Sequence, residues 1–154
     1  MASSISAQEP SGQKILILLV DDSMDDRLFF KRALKQVDFF HLVGEAEDGV
    51  QAMSYIKGEG IYSDREKFQL PDLIILDLKM PRMSGFDFLK WFREHGPSSV
   101  KVVVYSGSME REDARRALAL GADFYQTKPA DTQDQIALLR SLEAYMIRQH
   151  RQNG

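Results

Sequence analysis

Residues 73–85 read LIILDLKMPRMSG: four apolar residues, an aspartate, then a loop that ends on Ser84-Gly85. A run that is apolar throughout, rather than alternating, belongs to a strand covered on both faces, the habit of parallel sheets. Two other runs have this form, ILILLV at Ile15–Val20 and VVVY within Lys101–Tyr105. His41–Ala46 and Asp123–Thr127 complete a set of five. The stretches between them repeat apolar residues at helical spacing. Asp25–Val37 places Leu28, Phe29, Ala33, Leu34 and Val37 on one face, and Gly49–Lys57 carries Val50, Ala52, Met53 and Ile56. Gly85–Glu94 carries Phe86, Phe88, Leu89 and Phe92, with Ser84 as its cap. Arg111–Leu120 carries Ala114, Ala117 and Leu118, and Gly121 is placed to end it. The last helix opens on Thr132-Gln133-Asp134-Gln135 as a capping box and runs through Ile136, Leu139, Leu142, Tyr145 and Met146. Strand and helix in strict alternation, with right-handed crossovers, predict an α/β fold: a doubly wound, five-stranded parallel sheet.

Composition narrows the function. The 154 residues suit one domain, and 44% hydrophobic content supplies a core. A net charge of -3 does not favour nucleic acid. The absence of cysteine excludes disulfides and thiolate chemistry and suits a reducing cytoplasm. No apolar run approaches the ~18 residues of a membrane span. Residues 1–13 are rich in Ser, Ala and Gln and read as a flexible tail without the pattern of a signal peptide. Residues 14–147 form the domain, and 148–154 a C-terminal tail too short for an output module. The long segment Gly58–Asp72 carries Tyr62 and Phe68, which predict that it packs partly on the body.

The charged residues fall where strands run out. Asp21-Asp22 closes the first run, Asp77 the third, and Lys128 the last. In an open parallel sheet those carboxyl ends form the ligand crevice. Three carboxylates beside one ammonium suit Mg²⁺, which takes oxygen ligands, together with a phosphoryl group. Asp22 or Ser23 could instead simply cap the next helix. Asp77, facing a cation, could attack phosphorus to form an acyl phosphate, or remain a plain metal ligand. Ser106 is placed to donate to a phosphoryl oxygen, with Gly107 leaving the approach open. Lys128 is placed to pair with Asp77 and then with the phosphoryl oxygens. A cis bond to Pro129 would aim it inward. Lys79 borders the site, either as an ordinary loop lysine or tuning how long a phosphoryl group survives.

VDDS (20–23), LIILDLKMPRMSGFDFL (73–89), VVVYSGS (102–108) and GADFYQTKPAD (121–131) in this order resemble the receiver domain of two-component response regulators. The resemblance covers Lys14 to Ile147 and implies the flavodoxin-like (βα)5 fold. It implies that Asp21, Asp22, Asp77 and the backbone carbonyl of Lys79 hold Mg²⁺. It implies that Asp77 accepts a phosphoryl group from a sensor histidine kinase, and that Ser106 and Lys128 grip it. Tyr125 matches the family's switch aromatic, which turns inward as Ser106 moves. The Gly58–Asp72 segment and the missing output module resemble the stand-alone regulators that partner phytochrome-type kinases. Two other functions compete: an interaction module indifferent to phosphorylation, and a phosphohydrolase of the haloacid dehalogenase type. The latter needs an acid two residues after the nucleophile, where this chain has Lys79. Direct DNA binding is not expected. Tyr145, Met146 and Ile147 suit either a homodimer contact or core packing.

Overall fold

The computed structural model describes residues 13–153, with side chains through residue 149. The N-terminal tail expected over residues 1–13 therefore lies almost wholly outside the described residues. In chain order the elements are β1 (Ile15–Val20), α1 (Met24–Leu34), β2 (Phe40–Ala46), α2 (Gly49–Lys57), a 3-10 turn (Gly60–Tyr62), β3 (Leu73–Leu76), α3 (Gly85–His95), β4 (Lys101–Ser106), α4 (Arg111–Ala119), β5 (Phe124–Thr127) and α5 (Thr132–Asn153). The sheet order is β2-β1-β3-β4-β5, all parallel. The chain winds outward from the centre to one edge and then to the other. The carboxyl ends of β1, β3 and β4 thus meet in the middle of the molecule.

Apolar runs on both faces give two cores. On one face Leu18, Val20, Ile74, Leu76, Val102 and Val104 pack against α2 and α3. On the other, Ile17, Leu19, Leu73, Ile75, Val103 and Tyr105 meet α1 and α5. All four residues of β3 are buried, which makes the strand under Asp77 the fixed axis of the fold.

The structure departs from the sequence reading in several places. In α1 the buried face is Arg27, Phe30, Ala33 and Leu34, while Leu28 is 45% exposed. Arg27 goes inside because its guanidinium donates to the Asp21 carbonyl at 2.6 Å and to Glu45 at 3.0 Å. In α4 only Ala117 is buried, and Leu118 faces out. The cap of α5 is Asp131, whose Oδ1 accepts from the Asp134 N–H at 2.8 Å, not the Thr132 box. Gln135 cannot reach back because it is buried and donates to the Tyr105 hydroxyl at 2.7 Å. Helix α5 also runs through 148–153, residues read as tail. Met146 is core, so its apolar character is spent inside.

The 58–72 segment packs as expected. Tyr55, Tyr62 and Phe68 form a three-ring cluster with centroids 5.1–6.0 Å apart. Arg65 staples it by donating to the carbonyls of Ile56 and Phe68.

Candidate functional site

Each site residue is set by the end of a strand. Asp21 follows β1, and its N–H donates to the Ala46 carbonyl at 3.0 Å, continuing the β1–β2 pairing one residue past the strand. Its Oδ1 accepts from the Ser23 N–H at 2.9 Å. Ser23, not Asp22, caps α1 through the Asp26 N–H. Asp22 therefore stays at the exposed rim. Asp77 follows β3 and is buried, its Oδ1 accepting from the Leu78 N–H at 2.8 Å. Carboxylate oxygens of Asp21, Asp22 and Asp77 all lie within 4.8 Å of one another. That donor set is all oxygen and carries more negative charge than one lysine offsets. It fits a hard divalent cation such as Mg²⁺, which tolerates few carboxylates and keeps its waters.

Lys128 spans the cluster. Its Nζ lies 2.8 Å from Asp21 Oδ2, 2.8 Å from Asp26 Oδ2 and 3.5 Å from Asp77 Oδ2. The Lys128–Pro129 bond is trans, correcting the cis expectation. The lysine needs no cis turn, because its backbone is already fixed by an N–H bond to the Ser106 carbonyl at 2.8 Å. Ser106 is the last residue of β4, paired with Thr127, and is 1% exposed. Its Oγ accepts from the Ser108 N–H at 3.2 Å. A Cβ on Gly107 would meet nothing, so the approach beside Ser106 is open.

Tyr125 and Lys79 point away from the acids. The Tyr125 hydroxyl donates to the Ser108 carbonyl at 2.8 Å, in the β4–α4 loop. Lys79 is largely exposed, with Nζ 3.6 Å from Asp113 Oδ2. Asp113 also accepts from the Ser108 hydroxyl at 2.7 Å. Sequence reasoning missed Asp26 and Asp113 as partners of the site lysines. The acidic pair Asp25-Asp26, one turn after Asp21-Asp22, was the available signal for the first. Nothing local marked the second.

The electrostatics follow from burial and company. Burial raises the Asp77 carboxyl above its ordinary value; the nearby Lys128 charge opposes this and Asp21 adds to it. For Lys128 burial acts downward, but hydrogen bonds to Asp21 and Asp26 and the Asp77 charge outweigh it, and the net shift is up. The crevice thus holds a firmly protonated lysine beside an acid whose charge is costly until a cation arrives.

The chain matches the response regulator receiver domain over residues 17–140. It belongs to that family. Receiver domains work in two-component signalling, with histidine kinases and downstream targets as partners. The chain is 37% identical over 118 residues to protein-glutamate methylesterase/protein-glutamine glutaminase 3 of Geobacter sulfurreducens, covering 76% of this chain and 28% of that protein. It is 34% identical over 140 residues to the nitrate/nitrite response regulator NarL of Escherichia coli, covering 91% and 58%. The chain thus spans less than two thirds of these first relatives. Response regulator Rcp1 of Synechocystis is 27% identical over 133 residues, covering 86% of this chain and 88% of that protein. Its solved Mn²⁺-bound form superposes with a TM-score of 0.71 at 28% identity, over 86% of this chain and 94% of that one. The phosphorylated cyanobacterial phytochrome response regulator RcpA superposes with a TM-score of 0.74 at 29% identity, again over 86% and 94%. Among the described residues of this receiver, no helix is long and apolar enough to cross a membrane.

Proposed function

We propose that this receiver takes a phosphoryl group on Asp77 from a phosphohistidine of a sensor histidine kinase. The observation that carries this is the buried Asp77 carboxylate, in one crevice with Asp21, Asp22 and the Lys128 ammonium. A phytochrome-type kinase is the favoured donor, supported by the likeness to phytochrome regulators along most of their length. Asp77 attacks phosphorus as the phosphorus–nitrogen bond of the donor breaks. The imidazole nitrogen keeps the electron pair and takes a proton from water, and Asp77 becomes an acyl phosphate. Catalysis is mostly positioning and charge stabilisation.

Asp21, Asp22, Asp77 and the Lys79 carbonyl would hold Mg²⁺. That ion supplies charge neutralisation on phosphoryl oxygens. Lys128 offers its ammonium to the same oxygens, with Asp21 and Asp26 holding it in place. Ser106, at the mouth of β4, donates to a phosphoryl oxygen, and its displacement changes the loop that carries Ser108. Tyr125 is bonded to that loop, so the change is read on the face of α4, β5 and α5. Exposed Phe124 and its edge-to-face partner Tyr145, 4.6 Å away, give that face an apolar contact for a protein target. A phosphohydrolase role lacks its acid, since position 79 is a lysine turned toward Asp113.

The test is transfer of labelled phosphoryl from an autophosphorylated phytochrome-type kinase. The expected product is one label that hydroxylamine releases, as for an acyl phosphate, and that Asp77→Asn does not take. Label on Asp77→Asn, or label resistant to hydroxylamine, would contradict the assignment.

A further inference from the structure

The loop between Asp77 and α3 is fastened at both ends. At the near end the Gly85 N–H donates to the Leu78 carbonyl at 2.9 Å. A Cβ on Gly85 would stand 2.1 Å from the Asp77 carbonyl oxygen, so only glycine permits this closure. At the far end the Met83 N–H donates to the Pro81 carbonyl at 2.8 Å across Arg82. A three-residue turn usually has a negative φ at its centre; the positive-φ form is rare and strained for a residue with a side chain. Arg82 has φ 66°, the one non-glycine residue with positive φ among the described residues.

What holds this strained turn is Asp48, the N-cap of α2 just past the end of β2. Asp48 is 4% exposed. Its Oδ2 accepts both Nε, at 2.8 Å, and Nη2 of Arg82, while its Oδ1 caps α2 through the Gln51 N–H at 2.9 Å. Beside it the Gly49 N–H donates to the Met83 carbonyl at 3.0 Å, with no room for a Cβ. The far end of the Asp77 loop is thus clamped to the independently anchored N-terminus of α2. Lys79 lies between the two fastenings.

We infer that the Arg82–Asp48 pair is a positioning device for the metal site: it fixes the loop that carries the Lys79 carbonyl, two residues on from Asp77. The inference rests on the proposed metal role of this crevice. A residue that orients a ligand from behind typically changes metal affinity by about tenfold or more. A fork-shaped guanidinium does this better than a flexible ammonium.

The experiment is titration of the full chain with Mn²⁺, reading free ion by electron paramagnetic resonance, with thermal melting alongside. The variants are Arg82→Met, Arg82→Lys, Asp48→Asn and the double Arg82→Met/Asp48→Asn. Asp48→Asn keeps an oxygen for the α2 cap. Both single neutral variants are expected to bind Mn²⁺ about tenfold more weakly while still melting as folded protein. Arg82→Lys is expected to recover part of the loss, and the double variant to be no worse than either single, because the two residues act as one unit. Unchanged affinity with a lowered melting temperature would make the pair a fold contact only and overturn the inference. Losses that add in the double variant would overturn it too. A parent that binds no Mn²⁺ would remove the metal reading itself, and the inference with it.

Discussion

Helices α3 and α4 lie on the same face of the sheet but are held in opposite ways. Helix α3 buries Phe86, Phe88, Leu89 and Phe92 and is locked by Arg93, which donates to the carbonyls of Gly121 and Val100 and to Asp123. Helix α4 buries Ala117 alone. It is held by the Lys79–Asp113 contact, the Ser108–Asp113 hydrogen bond and Arg116 lying 4.0 Å over the Phe86 ring. One helix is fixed by apolar burial that no charge change at Asp77 would disturb. The other hangs on polar contacts to the loops bearing Lys79 and Ser108, the second of which follows Ser106. Elements that move in signalling are drawn from the weakly held end of a structure, and here that end adjoins the acids.

Substitutions at the two helices test this contrast. Phe88→Ala should destabilise the chain by about 3–5 kcal/mol in urea unfolding, since it empties a fully buried ring site. Asp113→Ala should cost about 1–2 kcal/mol globally, because its lysine partner is exposed and the main loss is the Ser108 hydrogen bond to a half-buried carboxylate. It should nevertheless speed amide exchange in α4 while leaving α3 protected. Equal protection of both helices in that variant would erase the contrast. Leu118→Ala should be smallest, within about 0.5 kcal/mol of the parent, because its side chain faces out.

The acids add a pH-dependent prediction. Burial raises Asp77 in the folded state, so its ionised form weakens the metal-free fold at pH above both its folded and unfolded values. Asp77→Asn should therefore melt higher than the parent at neutral pH without metal. That advantage should fade on acidification, as Asp77 protonates. Mg²⁺ affinity of the parent should fall with decreasing pH, beginning above the ordinary carboxyl range. A melting difference that does not change with pH would contradict the buried-charge account.

The strands were legible because burial on both faces writes itself as unbroken apolar runs; Ile15–Val20 and Leu73–Leu76 carry the same bounds in the structure. Helix α3 was equally clear, its aromatic stripe being one continuous face. Helix α1 misled because Leu28 and Phe29 look like a buried face, while the face that turns inward carries a charged residue, Arg27, tied to Asp21 and Glu45. The end of α5 was unreadable since no stop signal separates it from residues 148–153. At the candidate site, residue types at strand ends located Asp21, Asp22, Asp77 and Lys128 in one crevice, with Ser106 at the end of the adjoining strand β4. The contacts that hold them, Asp26 on Lys128 and Asp48 on Arg82, join residues 102 and 34 positions apart. Only the fold brings such pairs together.

The central claim is that Asp77 is the phosphoryl acceptor. Intact mass after incubation with Mg²⁺ and acetyl phosphate, beside Asp77→Asn, tests it most directly. The account predicts one phosphoryl adduct on the parent and none on the variant. The same adduct on both proteins would contradict it.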